Sequence, residues 1–149
     1  MIMGMRYPAA SSKQRGISLI EVLITVLVLA VGLLGLAGLQ LTSLRNNQSA
    51  MERSVGVVQS YSIIEAIRAD PDSAKSGRFN VALDSDPTGS TFPANSLSIW
   101  RNQIKSNLGA AAVGSVSCNS TRCTVVVQWD DSRGLEGIAT QQITTEVHL

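Results

Sequence analysis

Apolar residues fill one early stretch of the chain with no polar face left between them. From Ile17 to Leu39 only Ser18, Glu21 and Thr25 are conspicuously polar. A helix of these 23 residues spans about 34 Å at 1.5 Å per residue, enough to cross a hydrocarbon core of about 30 Å. After Gln40 the sequence turns polar but keeps helical spacing. Met51, Val55, Val58, Ile64 and Ile67 are predicted to share one helix face. Asp70-Pro71 is a stop signal, because the residue before proline avoids the α region. The pattern predicts one helix over residues 18–69, roughly 75–80 Å long, whose second half lays an apolar stripe against a globular head.

Residues 71–95 are rich in Pro, Gly, Ser, Asp and Asn and read as a surface connection. Ser96 is placed to cap a short helix over residues 97–108, with Leu97, Trp100, Ile104 and Leu108 on its apolar face. Residues 116–125 read as two strands joined by a tight loop, and Val125, Val127 and Trp129 alternate with Val126 and Gln128. The run Asp130-Asp131-Ser132-Arg133-Gly134 is the next turn, and residues 138–147 form a further strand. The expected fold class is α+β, a long N-terminal helix packed on a small antiparallel sheet.

With 149 residues the chain holds one domain with a modest core. Its net charge of +1 points to no polyanionic partner, and an aromatic content of 4% argues against a base-stacking surface. The charge is unevenly spread. Residues 1–16 hold Arg6, Lys13 and Arg15 and no acid; without them 12 basic and 11 acidic residues become 9 and 11, a net of −2. Basic residues before the apolar run put the N-terminus in the cytoplasm and the head outside it. In that compartment Cys118 and Cys123 are expected to form a disulfide. The alternative, a metal or redox pair, lacks ligands, since the only histidine is His148.

Other features carry less. Asp84-Ser85-Asp86-Pro87-Thr88-Gly89 resembles the start of a calcium loop, but Asn95 stands where a bidentate Glu is needed, so a plain turn is expected. Asn119-Ser120-Thr121 fits a glycosylation acceptor by chance. Asp130 and Asp131, adjacent on a strand, would face opposite ways and make a poor acid–base pair. Glu65 and Arg68 read as solvated charges, and Trp100 as a core anchor. No nucleophile–base set or phosphate loop is visible, so neither enzyme activity nor a cofactor is expected.

Three readings compete for the N-terminal segment. A cleaved secretory signal would need a shorter apolar core and a small-residue cleavage site. A plain signal anchor explains length and charge but not Glu21, which costs roughly 2.5–3.5 kcal/mol at a bilayer centre and less near an end. The third reading rests on Arg15-Gly16-Ile17-Ser18-Leu19-Ile20-Glu21, which resembles the prepilin signature of type IV pilins and type II secretion pseudopilins. Within that family, the runs Glu21-Val22-Leu23-Ile24 and Ala30-Val31-Gly32-Leu33-Leu34-Gly35-Leu36-Ala37-Gly38-Leu39-Gln40 look like the PilV-type minor pilins. Trp100-Arg101-Asn102-Gln103-Ile104 and the stretch from Cys123 to Trp129 are similar to their downstream elements.

The resemblance implies a type IV pilin fold in four parts: a leader over residues 1–16, a transmembrane and filament-core helix over 17–40, an amphipathic continuation over 41–70, and a head over 71–149. It implies cleavage between Gly16 and Ile17 by prepilin peptidase, and N-methylation of Ile17, where the family more often has Phe. It also implies an assembly role for Glu21. A carboxylate buried among bundled helices must be paired or protonated, and the family's partner is the N-terminal amine of a neighbouring subunit. Gly32, Gly35 and Gly38 suit close helix packing, local softening of the helix, or a generic membrane helix. The implied function is a minor pilin that helps initiate type IV pilus assembly, in contexts such as twitching motility. A minor pseudopilin is the alternative, and a tip subunit that binds DNA or a host surface lacks a basic or aromatic patch. Implied partners are other minor and major pilins, the peptidase and the inner-membrane assembly machinery.

Overall fold

A computed structural model of the chain describes residues 16–134 and 137–149. The expected leader, Gly16 apart, lies outside the described residues. The elements in order are α1 (Leu19–Ala69), α2 (Pro71–Lys75), α3 (Phe92–Leu108), β1 (Val113–Cys118), β2 (Arg122–Asp131) and β3 (Ile138–His148). The strands form one antiparallel meander in the order β1-β2-β3. A long apolar N-terminal helix with a small antiparallel three-stranded sheet is an α+β arrangement and matches the type IV pilin fold.

By compactness the chain divides after Leu39. In the first unit the Ser18 carbonyl accepts from the amides of Glu21 and Val22 at 3.0 and 3.2 Å, opening α1. No proline interrupts the helix before Ala69.

In the second unit α1 buries one stripe, made by Gly56, Gln59, Ser60, Ile63, Ile64 and Ile67. The spacing is helical, and Ile64 and Ile67 are buried as predicted with Val55 partly so, but Met51 is 69% and Val58 64% exposed and the stripe runs through Gly56, Gln59 and Ser60 instead. The reason is size. A Cβ on Gly56 would stand 3.0 Å from Ile143 Cδ1 and 3.2 Å from the Trp129 ring. Small residues at 56 and 60 let the helix settle onto Trp129, and that contact fixes which face turns inward. Ser60 meets the cost of its burial by donating to the Gly56 carbonyl at 3.0 Å.

α1 ends as predicted at Asp70-Pro71, and the same residues open α2. Asp70 caps it by accepting from the Ser73 amide at 3.1 Å, and Pro71 supplies a first position that needs no N–H. α3 begins five residues earlier than predicted. Thr91, not Ser96, is its cap, because Pro93 is well suited to the first turn. Gly109, with φ 105°, ends it.

Trp100, Ile104 and Leu108 then meet Ile63, Ile64 and Ile67 of α1 and Val116, Val125, Val127 and Trp129 of the sheet in one core. The Trp100 indole N–H donates to the Gln59 carbonyl at 2.8 Å, tying α3 to α1. Residues 71–95 are more ordered than a surface connection. Phe79 is fully buried, and Val81 pairs with Val116 through two backbone bonds of 2.9 and 3.0 Å.

Candidate assembly site on the N-terminal helix

In α1 every residue from Leu19 to Gln48 is exposed, including Leu19 at 90% and Leu34 at 73%. Exposed apolar surface on this scale marks a membrane or protein interaction. The segment also satisfies itself internally, as hydrocarbon requires: Thr25 Oγ1 donates to the Val22 carbonyl at 2.8 Å.

Glu21 is the one charged residue between Ile17 and Leu39. It lies in the first turn of α1, where the N-terminal end of the helix dipole favours a carboxylate. It has no ion-pair partner among the described residues. Ile17 is 75% exposed just before the helix, and Gly16 precedes it. The N-terminal segment thus places Gly16, Ile17 and Glu21 together at one helix end, and leaves the carboxylate with no charged neighbour among the described residues of its own chain.

Gly32, Gly35 and Gly38 recur at every third position further along. A Cβ added at any of them meets no atom within 4 Å. Nothing in the described chain itself therefore uses their small size. Gly56 and Gly114 differ. At Gly114 an added Cβ would lie 2.8 Å from Ile104 Cδ1 and collide with the Trp100 ring.

Cys118 and Cys123 are joined as a disulfide that spans the β1–β2 hairpin. Asn119 shapes the loop between them. Its Oδ1 accepts from the Thr121 amide, the Thr121 hydroxyl and the Arg122 amide at 2.9, 3.1 and 2.9 Å. That engagement gives the Asn119-Ser120-Thr121 run a structural role.

The remaining candidates fall apart from one another. Asp131 is buried and accepts from the Ser49 hydroxyl at 2.6 Å, whereas Asp130 is exposed and bonds the Ser132 amide. That bond, together with the Ser132 hydroxyl, holds the Asp130 carboxyl below the usual aspartate range. Glu65 and Arg68 pair at 2.8 Å on an exposed face. In the former calcium-loop candidate, Asp86 instead reaches Arg101 at 3.2 Å.

Arg101 is the residue that pattern reading missed. It is 4% exposed, and its guanidinium donates to the carbonyls of Ala82, Leu83, Ser85 and Gly114. Its position, four residues after Leu97 and seven before Leu108 on the apolar side of α3, was the available signal.

Residues 11–37 match the family described as the prokaryotic N-terminal methylation motif. The match spans the Gly16–Glu21 signature and the first two glycines of the series, ending one residue before Gly38, and it supports a type IV pilin-like prepilin or a pseudopilin. Proteins of this kind are structural, processed by prepilin peptidase and assembled with other pilins. The motif and the apolar helix together fit membrane anchoring. No curated protein and no solved structure matched the chain.

Proposed function

We propose that the chain is a PilV-like minor pilin that takes part in initiating type IV pilus assembly. The observation that carries this reading is the coincidence of the methylation motif with an apolar helix that is exposed on every side and holds one carboxylate with no ion-pair partner among the described residues. Prepilin peptidase cleaves after Gly16 on the cytoplasmic side and methylates the amine of Ile17. The processed chain waits in the inner membrane as a single pass with its head in the periplasm. Glu21, near the cytoplasmic end, is then drawn into a filament core and pairs with the Ile17 amine of a neighbouring subunit. Gly32, Gly35 and Gly38 lie where helices pack closely; their open surroundings support a role between chains rather than within one.

The minor pseudopilin of a type II secretion system shares leader and architecture. The Gly32–Gln40 run favours the pilus. The test is to shear pili from cells, fractionate the inner membrane, and follow the processed chain by mass spectrometry. Recovery with pili is the expected result. Recovery only with secretion components would assign the chain to the second system.

A further inference from the structure

Between Glu21 and Arg45 the sequence holds no charged residue. Arg45 is therefore the first charge after the apolar run, six residues or about 9 Å of helix beyond Leu39. Helical Cα–Cβ bonds tilt toward the N-terminus, so a long side chain at this position leans back toward that run.

One turn further on, Ser49 shares a helix face with Arg45 and donates to the buried Asp131 carboxylate at 2.6 Å. That bond fastens the turn after β2 to α1. The Gly134 amide donates to the Asp131 carbonyl at 2.9 Å and closes the turn. A Cβ on Gly134 would stand 2.6 Å from Asp131 Oδ1, so closure this tight needs glycine.

A groove of about 390 Å³ opens between the helix and the turn. Leu41, Leu44, Arg45 and Gln48 line it from α1, and Ser132 and Arg133 from the turn. Leu41 and Leu44 are 53% and 66% exposed. Neither arginine has an ion-pair partner among the described residues. No described acid lines the groove. Asp131 is held by Ser49, and Asp130 is bound by the Ser132 amide at 2.9 Å. Two cations and two leucines thus share one groove, with no described carboxylate lining it.

We infer, on the membrane-anchored reading proposed above, that this groove holds the phosphodiester headgroup of an anionic phospholipid. Arginine suits phosphate because its planar fork offers paired N–H donors. Leu41 and Leu44 fit the glycerol and the first acyl carbons, a part that inorganic phosphate lacks. The position in the chain agrees. A bilayer is about 30 Å thick in its hydrocarbon core and about 40–45 Å with its headgroups, so phosphates lie within the first turns of helix beyond a span. Arg45 falls in that zone, and its side chain leans toward the core as basic residues at helix ends do.

The test uses the mature full-length chain in maltoside micelles, which contain no phosphate. The probe is short-chain phosphatidylglycerol, followed by amide NMR. Shifts should concentrate at Leu44, Arg45, Gln48, Ser132, Arg133 and Gly134. Arg45→Gln and Arg133→Gln should each weaken binding about fivefold, while Arg122→Gln, away from the groove, should not. All three side chains are exposed, so urea unfolding of the head should stay unchanged. Zwitterionic phosphatidylcholine should bind more weakly to the unaltered protein, which covers a failure of either variant to fold. Broadening of residues 19–39 by a micelle-embedded spin label separately reports membrane insertion. If broadening is present without groove shifts, only the headgroup site fails; if it is absent, the membrane reading fails as well. Inorganic phosphate producing the same shifts at the same affinity would make the ligand a free anion and overturn the proposal. So would lipid shifts indifferent to both arginines. Self-association that Arg45→Gln dissolves would also overturn it, by making the occupant an acid of a second subunit.

Discussion

The two halves of α1 obey opposite rules. From Leu19 to Leu39 the helix is apolar on every side and buries nothing; from Gln40 to Ala69 it is mostly polar and buries one stripe. Glycine makes the contrast sharpest. Gly56, in the second half, meets Trp129 and Ile143, whereas Gly32, Gly35 and Gly38 meet nothing within reach of an added Cβ. A small residue is useful only where something approaches it. In the head that something belongs to the same chain; in the N-terminal segment no described residue supplies it. Charge follows the same division. Arg101 is buried against four carbonyls of its own chain, and Glu21 is exposed without an ion-pair partner among the described residues.

Substitutions on either side of this divide should fail in different ways. The largest effect is expected from Glu21→Leu. Membrane insertion should persist, since the segment becomes more apolar, while incorporation into filaments should fall more than about tenfold if Glu21 forms the proposed pair with a neighbouring Ile17 amine. Quantitative immunoblots of sheared filaments against membranes would show it, and normal incorporation would remove the pairing role. Arg101→Ala should leave incorporation chemistry untouched but destabilise the head by about 3 kcal/mol, since several carbonyls lose their donor at once. Urea unfolding followed by tryptophan fluorescence reads this directly.

The glycines give a matched pair. Gly114→Ala should cost about 2 kcal/mol by overpacking against Trp100 and Ile104, while Gly35→Ala should leave head stability unchanged. If Gly35→Ala also leaves assembly unchanged, the glycine series has no packing role between chains. Replacing Cys118 and Cys123 by serine should lower stability by about 2 kcal/mol, the loop entropy of a short hairpin crosslink.

The smallest effect concerns pH. The Ser73 hydroxyl, and then its amide, hold the Asp70 carboxyl below its ordinary value of 3.8. A depressed carboxyl contributes stability above that value, which is lost as pH falls through the lower folded one. Thermal melts between about pH 4 and pH 2 should therefore fall more steeply for the native chain than for Asp70→Asn, which keeps a capping oxygen without the titration.

Much of the architecture was legible because local signals dominate it. An unbroken apolar run, the Asp70-Pro71 stop and the alternation through Val125, Val127 and Trp129 each specify an element without reference to distant residues. Where the outcome depended on long-range contacts, pattern alone misled. Met51 and Val58 look like core positions, but Trp129 selects the face of α1 that carries Gly56 and Ser60. Residues 78–86 look like loop, but Asn80 is fastened to Cys118, Val81 to Val116, and Arg101 reaches across to the carbonyls of Ala82, Leu83 and Ser85. At the candidate assembly site the Gly16–Glu21 spacing was legible as a family resemblance. What Glu21 and the glycines touch in an assembly is a property of several chains, so no single sequence spells it out.

The central claim is that this chain is cut after Gly16 and matures with a methylated amine on Ile17, the group that Glu21 is expected to meet. Mass spectrometry of the N-terminal peptide from membrane and filament fractions tests it most directly. The account predicts a peptide that begins at Ile17 and carries one extra methyl group. A chain that retains residues 1–16 in both fractions would contradict it.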